Sequence, residues 1–342
     1  MNHDWLLYLA IFSSSFGISI ATTPLAKKIS VKVGAIDMPR SRGMHSEPLP
    51  RMGGIAIVLG FLAALGIAAI FMPEVHTVQF LGFVTGALII VAAGIFDDIY
   101  NLKPGMKLTL QIIASLIPIF SGTQVDFIQF PFSAVLNDSL SVPITLVWIV
   151  GLTNAVNFID GLDGLAAGVT TIAALALMVL CMLSENSLAV VLTAALAGSC
   201  LGFLPRNFNP AEVIMGDTGA QFLGYVLAVS SILGPFKAYA LLSVVIVSFV
   251  LALPIFDTAF AILRRFLTHK PIFSADRGHL HHRLVDSGYS HKQAVILLYV
   301  LSAVSGVIAI VIAMKKPREI LVTCICVVIM LMMIYVYRKR TR

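Results

Sequence analysis

Long apolar runs that recur along almost the whole chain are the feature that most constrains its fold. A helix needs about 20 apolar residues to cross the hydrocarbon core of a bilayer. Hydrophobic residues make up 58% of the 342 residues and charged residues only 12%, a balance that predicts an all-α polytopic membrane protein. Apolar windows predict eleven spans, or ten if one of the two short windows (106–121 and 142–157) does not cross: 5–24, 53–72, 78–97, 106–121, 142–157, 164–183, 187–205, 218–234, 237–256, 293–314 and 320–337.

The polar stretches between these runs are too short for a separate soluble domain. Residues 1–342 are therefore expected to form a single integral-membrane domain, with functional loops at about 25–52, 97–107, 156–165, 204–219 and 257–292. The first run lacks the basic start and cleavage site of a secretory signal peptide, which predicts a retained span. All four cysteines lie in apolar runs, which argues against a disulfide framework or a zinc site: Cys181, Cys200, Cys324 and Cys326.

Basic residues predict how the bundle is oriented, because Lys and Arg favour cytoplasmic loops. With eleven spans, the basic segments 25–52, 257–292 and 338–342 fall on one side. We expect that side to be cytoplasmic, with the N-terminus outside the cell and the C-terminus inside it. The basic patch 315–318 conflicts with this topology, because it would lie on the outside.

Acidic residues stand at the ends of the predicted spans. Asp97 and Asp98 end the third span, and Asp at a helix C-terminus opposes the helix dipole, so a bound cation explains this pair better than solvation. Asp217 precedes the eighth span, where helix capping alone could account for it. An Asp at a helix centre costs roughly 2.5–3.5 kcal/mol on insertion scales. The predicted orientation avoids that cost by placing these acids at the cytoplasmic boundary.

The motif at 157–164 combines Asn157, Asp160 and Asp163 with glycines at the start of the sixth span. Capping explains one of its carboxylates but not two together with an amide. The free N–H groups of a helix start favour phosphate, and a divalent metal lets carboxylates share such a site. We therefore expect this motif to bind a ligand.

A basic motif near the C-terminus reads His279-Leu280-His281-His282-Arg283. A tight zinc site needs more ligands in fixed geometry, and no Cys lies nearby. Arg and His side chains suit phosphate oxygens, although contact with anionic lipid headgroups would also explain the arginine. Arg51, in the first basic loop, is open to two interpretations: it could bind substrate, or its charge could serve only to keep the loop on the cytoplasmic side.

Taken together and in this order, these motifs resemble the family-4 glycosyl transferases that act as polyprenyl-phosphate N-acetylhexosamine-1-phosphate transferases. The branch that transfers phospho-MurNAc-pentapeptide typically carries three consecutive His, whereas residues 279–282 read His-Leu-His-His. The chain is thus most similar to bacterial undecaprenyl-phosphate GlcNAc-1-phosphate transferases. Glu212 departs from the pattern, because relatives often carry Lys there.

The resemblance implies a reaction and its partners. UDP-GlcNAc and undecaprenyl phosphate would give undecaprenyl-diphospho-GlcNAc and UMP, with Mg²⁺ as cofactor and Mn²⁺ as the alternative. The two substrates and the lipid bilayer are then the partners, with no nucleic acid. The sugar, the downstream polymer (teichoic acid, O-antigen or similar) and the oligomeric state, with a homodimer as one option, stay open.

The resemblance also implies roles for individual residues. Asn157, Asp217 and then Asp98 are the candidate metal ligands. Asp97 would accept a proton from the lipid phosphate or orient it, while Asp163 and Asn207 would contact uridine. The catalytic candidates are Asp97, Asp98, Asp160, Asp163 and His279. The residues expected to bind the diphosphate or sugar are His279, His281, His282, Arg283 and Arg51, and Asn157 is a further candidate for substrate binding.

Three alternatives compete with this interpretation. Direct attack by the lipid phosphate competes with a double displacement through a carboxylate such as Asp98, and the sequence does not separate them. A CDP-alcohol phosphatidyltransferase is excluded because an Arg and two later acids are missing after Asp163-Gly164. An ion-coupled transporter is disfavoured because it would place acids near the bilayer midplane and show two related halves.

Overall fold

The structure, a computed structural model, describes residues 5–38, 48–125, 134–236, 247–267 and 280–314. These residues are helical almost throughout. One antiparallel pair of two-residue strands, β1 (Ile36–Asp37) and β2 (Leu49–Pro50), closes the first loop. The helices are α1 (Trp5–Val33), α2 (Gly54–Phe71), α3 (Val78–Tyr100), α4 (Pro104–Phe120), α5 (Ala134–Ile159), α6 (Leu165–Leu183), α7 (Ser187–Asn207), α8 (Gly216–Ser231), α9 (Ala252–Leu267), α10 (Leu280–Asp286) and α11 (His291–Ala313). A 3₁₀ turn (Pro73–His76) precedes α3, and a π-helical segment (Ile232–Phe236) continues α8.

The all-helical prediction is confirmed, and seven of the described helices are long and apolar enough to cross a membrane. These are α1, α2, α3, α6, α7 and α11, together with the Leu140–Ile159 part of α5. Helix α4 is apolar but shorter, at 17 residues. The predicted span 320–337 lies outside the described residues, and the span 237–256 lies partly outside them. The count of eleven therefore stays a prediction.

Several helices continue beyond the apolar windows that predicted them. Helix α1 ends at Val33 rather than near residue 24, and α3 ends at Tyr100 rather than 97. Helix α9 reaches Leu267, and α10 occupies 280–286, so the predicted loop 257–292 is partly helical. Hydropathy detects only the apolar part of a helix, and polar residues such as Lys and Arg are good helix formers that extend it.

Helix α8 is the centre of the bundle. It packs against α2, α3, α5 and α7, and every residue from Thr218 to Ser231 is buried. A helix surrounded on all sides is expected to carry apolar or small side chains on every face. Helix α8 fits this expectation except for a few polar side chains near its start. Close packing around it relies on small residues, as in other membrane bundles.

Several helix ends meet at one end of this bundle. Helices α3 and α5 arrive there with their C-termini, whereas α4 and α8 begin there. The strand pair lies at the same end, since the backbone N–H of Ile214, just before α8, donates to the Pro50 carbonyl of β2 (2.9 Å). The chain thereby gathers the predicted acids of 97–98, 157–163 and 217 into one region.

Candidate active site

Asp98 holds the first turn of α8. Its Oδ1 accepts a hydrogen bond from the backbone N–H of Asp217 (2.9 Å), and its Oδ2 accepts from the N–H (3.0 Å) and hydroxyl (2.6 Å) of Thr218. The free N–H groups and positive dipole end of a helix start favour such a carboxylate. Gly216 permits the approach: its φ is +72°, and a Cβ there would lie 1.8 Å from the Arg51 carbonyl oxygen. Asp98 therefore anchors the helix that carries Asp217.

Arg51 joins two of the acids through its guanidinium. Its Nε donates to Asp98 Oδ1 (3.1 Å), its Nη2 to Asp217 Oδ2 (3.1 Å) and its Nη1 to Asn101 Oδ1 (3.1 Å). Burial alone would lower the pKa of Arg51, but the carboxylates of Asp98 and Asp217 outweigh burial and raise that pKa. The predicted substrate-binding arginine is thus a permanent cation that also orders the acidic cluster.

Lys107 is a site residue that the sequence reasoning missed. Its ammonium contacts Asp97 Oδ2 at close range and lies 3.4 Å from Asp217 Oδ1. Asp97 also accepts a hydrogen bond from the N–H of Leu102 (2.7 Å), which fixes the turn between α3 and α4. A signal was present: Lys107 is the only charged residue in the apolar window 106–121, and a lone charge in a span suggests function.

The cluster keeps an excess of negative charge. Arg51 and Lys107 face three carboxylates, those of Asp97, Asp98 and Asp217. Asp160, in the neighbouring loop, responds to this excess: burial first, and then the charges of Asp217 and Asp98, raise its pKa to about 7 and favour its neutral form. An uncompensated negative charge beside a helix start is an environment that favours a cation.

Asn157 places its amide against the central carboxylate. Its Nδ2 donates to Asp217 Oδ1 (3.0 Å). Within the described part of the chain, no hydrogen bond to its Oδ1 is observed. The amide therefore presents a carbonyl oxygen beside the Asp217 carboxylate, and both are hard oxygen donors of the kind that Mg²⁺ prefers.

Asp163 and Asn207 bind two loops to each other. Asp163 Oδ2 accepts from Asn209 Nδ2 (2.8 Å), and Asn207 Oδ1 accepts from the N–H of Gly164 (3.1 Å). These bonds join the α5–α6 loop to the segment between α7 and α8. Both predicted uridine contacts thus lie in one wall of the site, where the structure shows them supporting the backbone.

The His motif reaches the site through His281. This side chain is buried, and a Cβ added at Gly161 would lie 2.3 Å from its Nε2, so only glycine admits the ring. The ring of His282 lies beside it, with the ring centroids 4.3 Å apart and the ring planes inclined at 43°. The N-terminus of α10 is held by Asp257, whose Oδ1 accepts from the N–H of Leu280 (2.7 Å). The motif's first residue, His279, lies outside the described residues.

Arg283, unlike His281, lies away from the acidic cluster. It lines a separate cavity of about 490 Å³ between α9, α10 and α11. The lining is mostly apolar, with Leu253, Phe256 and Phe260 from α9. The structure therefore divides the predicted basic motif between the acidic cluster and this cavity.

The donor set at Asp217 fits Mg²⁺ shared with a phosphate ligand. Mg²⁺ usually takes one or two carboxylates together with substrate phosphates and water, rather than an all-protein cage. Among the described residues, no group of three or more His, Cys, Asp or Glu is arranged to hold a metal alone. Asp217 and Asn157 could supply the protein ligands. Asp98 fits this role less well, because its side chain is fully buried and binds backbone N–H groups of α8, whereas the Asp217 side chain is 15% exposed and its oxygens contact only side chains.

Comparison with known proteins agrees with the motif assignment. A family model described as glycosyl transferase family 4 matches residues 80–235. A Bacillus subtilis (strain 168) protein named "Probable undecaprenyl-phosphate N-acetylglucosaminyl 1-phosphate transferase" is 37% identical over 87% of this chain and 84% of its own length. A Mycobacterium tuberculosis (strain H37Rv) protein named "Decaprenyl-phosphate N-acetylglucosaminephosphotransferase" is 33% identical over 82% of this chain and 76% of its own. An Escherichia coli (strain K12) protein named "Undecaprenyl-phosphate alpha-N-acetylglucosaminyl 1-phosphate transferase" is 25% identical over 83% of this chain and 78% of its own. The chain therefore belongs to glycosyl transferase family 4, among the polyprenyl-phosphate N-acetylhexosamine-1-phosphate transferases.

Proposed function

We propose that the protein transfers GlcNAc-1-phosphate from UDP-GlcNAc to undecaprenyl phosphate, giving undecaprenyl-diphospho-GlcNAc and UMP. This would be the first membrane step of a cell-envelope polymer such as teichoic acid or O-antigen. One observation carries the proposal: carboxylates, two cations and an amide meet where α3, α4, α5 and α8 begin or end. Catalysis of phosphoryl transfer rests mainly on positioning and charge stabilisation, which is what such a cluster can supply.

The donor diphosphate is proposed to bind between Asp217 and the two cations. Arg51 and Lys107 would neutralise its oxygens, and Asp217 with Asn157 would hold the metal. When bound, Mg²⁺ (or Mn²⁺) would offset the charge that develops on the diphosphate. His281 lies against Gly161 in the neighbouring loop, and from there it, His282 and the predicted His279 would contact the diphosphate or sugar.

The acceptor phosphate is proposed to approach Asp97 and Lys107. A phosphate monoester has a second pKa near 6, so at pH 7 it is already mostly dianionic, and orientation matters more than proton removal. One of its oxygens attacks the β-phosphorus, the bond to the bridging oxygen breaks, and UMP leaves. Direct attack is supported over double displacement through Asp98, because both oxygens of Asp98 are engaged by α8 and Arg51.

The polyprenyl chain is proposed to enter the cavity beside α9. Its apolar lining from Leu253, Phe256 and Phe260 suits a hydrocarbon tail, and Arg264 and Arg283 line the same cavity and suit an anionic headgroup. An acceptor held there would keep its tail in the bilayer and direct its phosphate to the site.

The site end of the bundle is proposed to face the cytoplasm of a bacterial cell, as the positive-inside rule indicates for the eleven-span topology with the N-terminus outside. The soluble UDP-sugar would then reach the acids from the cytoplasm, and the acids would avoid the bilayer centre. Acids at helix ends rather than at mid-membrane depth also count against the transporter reading.

The test is release of UMP by purified full-length protein. UDP-GlcNAc, undecaprenyl phosphate and Mg²⁺ should give UMP, and Asp217→Ala that still inserts should give none. Equal activity in that variant would refute the proposed site. A panel of other UDP-HexNAc donors tests the alternative sugar. Exchange of labelled UMP into UDP-GlcNAc without lipid would instead support a phosphoryl-enzyme intermediate.

A further inference from the structure

A layer of three side-chain amides lies one helical turn deeper in the bundle than the charged cluster. Residues three or four apart on a helix share a face, and here each of three helices pairs one cluster residue with one amide. We call the deeper set the amide layer. The pairs are Lys107 with Gln111 on α4, Asn157 with Asn154 on α5, and Asp217 with Gln221 on α8.

The amide layer is hydrogen-bonded from one helix to the next and ends on Asp217. Asn154 Nδ2 donates to Gln111 Oε1 (2.6 Å), and Gln111 Nε2 donates to Gln221 Oε1 (3.0 Å). Gln221 Nε2 then donates to Asp217 Oδ1 (3.3 Å). Gln111 and Gln221 are each only 1% exposed, so these bonds form in an environment where an unpaired amide is costly.

The direction of these bonds decides which face Gln221 presents to Asp217. A primary amide can flip and exchange its oxygen for its NH₂. The Gln111 NH₂ group occupies the Gln221 oxygen, so the Gln221 NH₂ must point to the carboxylate. The opposite flip would put an amide oxygen against a carboxylate oxygen, which repels. Gln111 therefore fixes Gln221 without touching Asp217.

From this geometry we infer, resting on the proposed function, that Gln221 is a positioning residue that sets the orientation of the Asp217 carboxylate. Gln111 and Asn154 hold Gln221 in the orientation that allows it. Partners that orient a ligating carboxylate typically change metal affinity or activity by about 10- to 100-fold when they are removed. If the amides only held the helices together, their loss would change unfolding but leave metal binding unchanged.

Gln221→Met tests this role, because Met fills a similar volume and cannot donate a hydrogen bond. In purified full-length protein we expect half-saturation by Mn²⁺, measured from the free-Mn²⁺ electron paramagnetic resonance signal, to rise about 10-fold or more. The Mg²⁺ concentration needed for half-maximal UMP release should rise in parallel, with KM for undecaprenyl phosphate unchanged. Gln111→Met should show a smaller rise of the same kind.

Gln124→Met is the matched control at the far end of α4. The Gln124 amide is also bonded at both atoms, to the Ile119 carbonyl (3.1 Å) and the Ser141 hydroxyl (3.1 Å), yet it lies away from the site. We expect wild-type Mn²⁺ binding in this control. Folded Gln221→Met with wild-type Mn²⁺ and Mg²⁺ dependence would overturn the inference. If Gln221→Met does not fold, Gln111→Met decides by the same two measurements.

The two hypotheses fail in different ways. Wild-type protein that releases no UMP, but whose Mn²⁺ binding still depends on Gln221, would refute the proposed function and keep the positioning role. If the wild-type protein is active but Gln221→Met has the same Mn²⁺ and Mg²⁺ dependence, the proposed function stands and the positioning role is refuted.

Discussion

Replacing Asp98 by Asn separates an anchoring role from a direct role in the chemistry. The Asp98 carboxylate accepts four hydrogen bonds, two at each oxygen: from Arg51 and Asp217 at Oδ1, and from the Thr218 N–H and hydroxyl at Oδ2. In either orientation an Asn side chain turns its NH₂ toward two of these donors. The Thr218 hydroxyl can rotate to accept, but at least one N–H loses its partner.

The expected cost follows from that count. An unsatisfied buried donor costs about 1–3 kcal/mol, and removing one partner of a buried ion pair costs about 3–5 kcal/mol. Arg51 keeps Asp217 and Asn101 as acceptors, which moderates the second cost. We therefore expect Asp98→Asn to lower the free energy of unfolding by about 3–5 kcal/mol without substrate, and UMP release to fall with it.

The assay monitors unfolding of the ligand-free protein in detergent by circular dichroism. UMP release is measured separately, under conditions well below the midpoint of unfolding. Asp97→Asn is the matched control: an Asn there can still accept from the N–H of Leu102, and Lys107, which loses its charge pair with Asp97, keeps Asp217 as a partner. It should lose activity with a smaller change in stability. Wild-type stability in an inactive Asp98→Asn variant would refute anchoring and make Asp98 a direct participant.

Three further predictions follow from single contacts. Lys107→Met should reduce kcat/KM for UMP release by at least about 100-fold while the protein stays folded, since a lost charge stabiliser typically costs 10²–10³; activity within a few-fold of wild type would exclude a role in charge stabilisation. Gly161→Ala should displace His281, because its Cβ would lie 2.3 Å from Nε2, and raise KM for UDP-GlcNAc, whereas Gly66→Ala, which meets nothing within 4 Å, should not. The folded pKa of Asp160, about 7 against 3.8 for the free side chain, predicts stability that is full below about pH 4 and declines up to about pH 7. Asp160→Asn should flatten that part of the melting-temperature profile, and an unchanged slope would contradict the assignment.

Much of the site could be predicted from the sequence because it depends on residue type at helix ends. Asp97, Asp98 and Asp217 were expected to meet near Asn157, and the structure brings all four together. Which acid would hold α8, and which would stay available to a ligand, could not be predicted. That division depends on the backbone N–H groups of α8 pointing at Asp98, a matter of helix packing that spacing does not encode.

The buried polar partners were missed for a related reason. Lys107, Gln111 and Gln221 are single polar residues in otherwise apolar windows, and a hydropathy average absorbs them. Their relation appears only in the folded bundle, because Lys107 and Gln111 belong to one run, in α4, and Gln221 belongs to another, in α8. Helix lengths were likewise underestimated where polar residues extend a helix beyond its apolar window, as in α1 and α3.

The contacts of Arg51 have a consequence for how the enzyme is made. Arg51 precedes α2, Asp98 ends α3 and Asp217 starts α8, so the proposed nucleotide site is assembled from segments that leave the ribosome far apart in time. A chain that has inserted only its first seven helices carries Arg51 and Asp98 but lacks the helix start that they hold. The ability to bind the sugar nucleotide should therefore arise late in biogenesis, once α8 has entered the centre of the bundle.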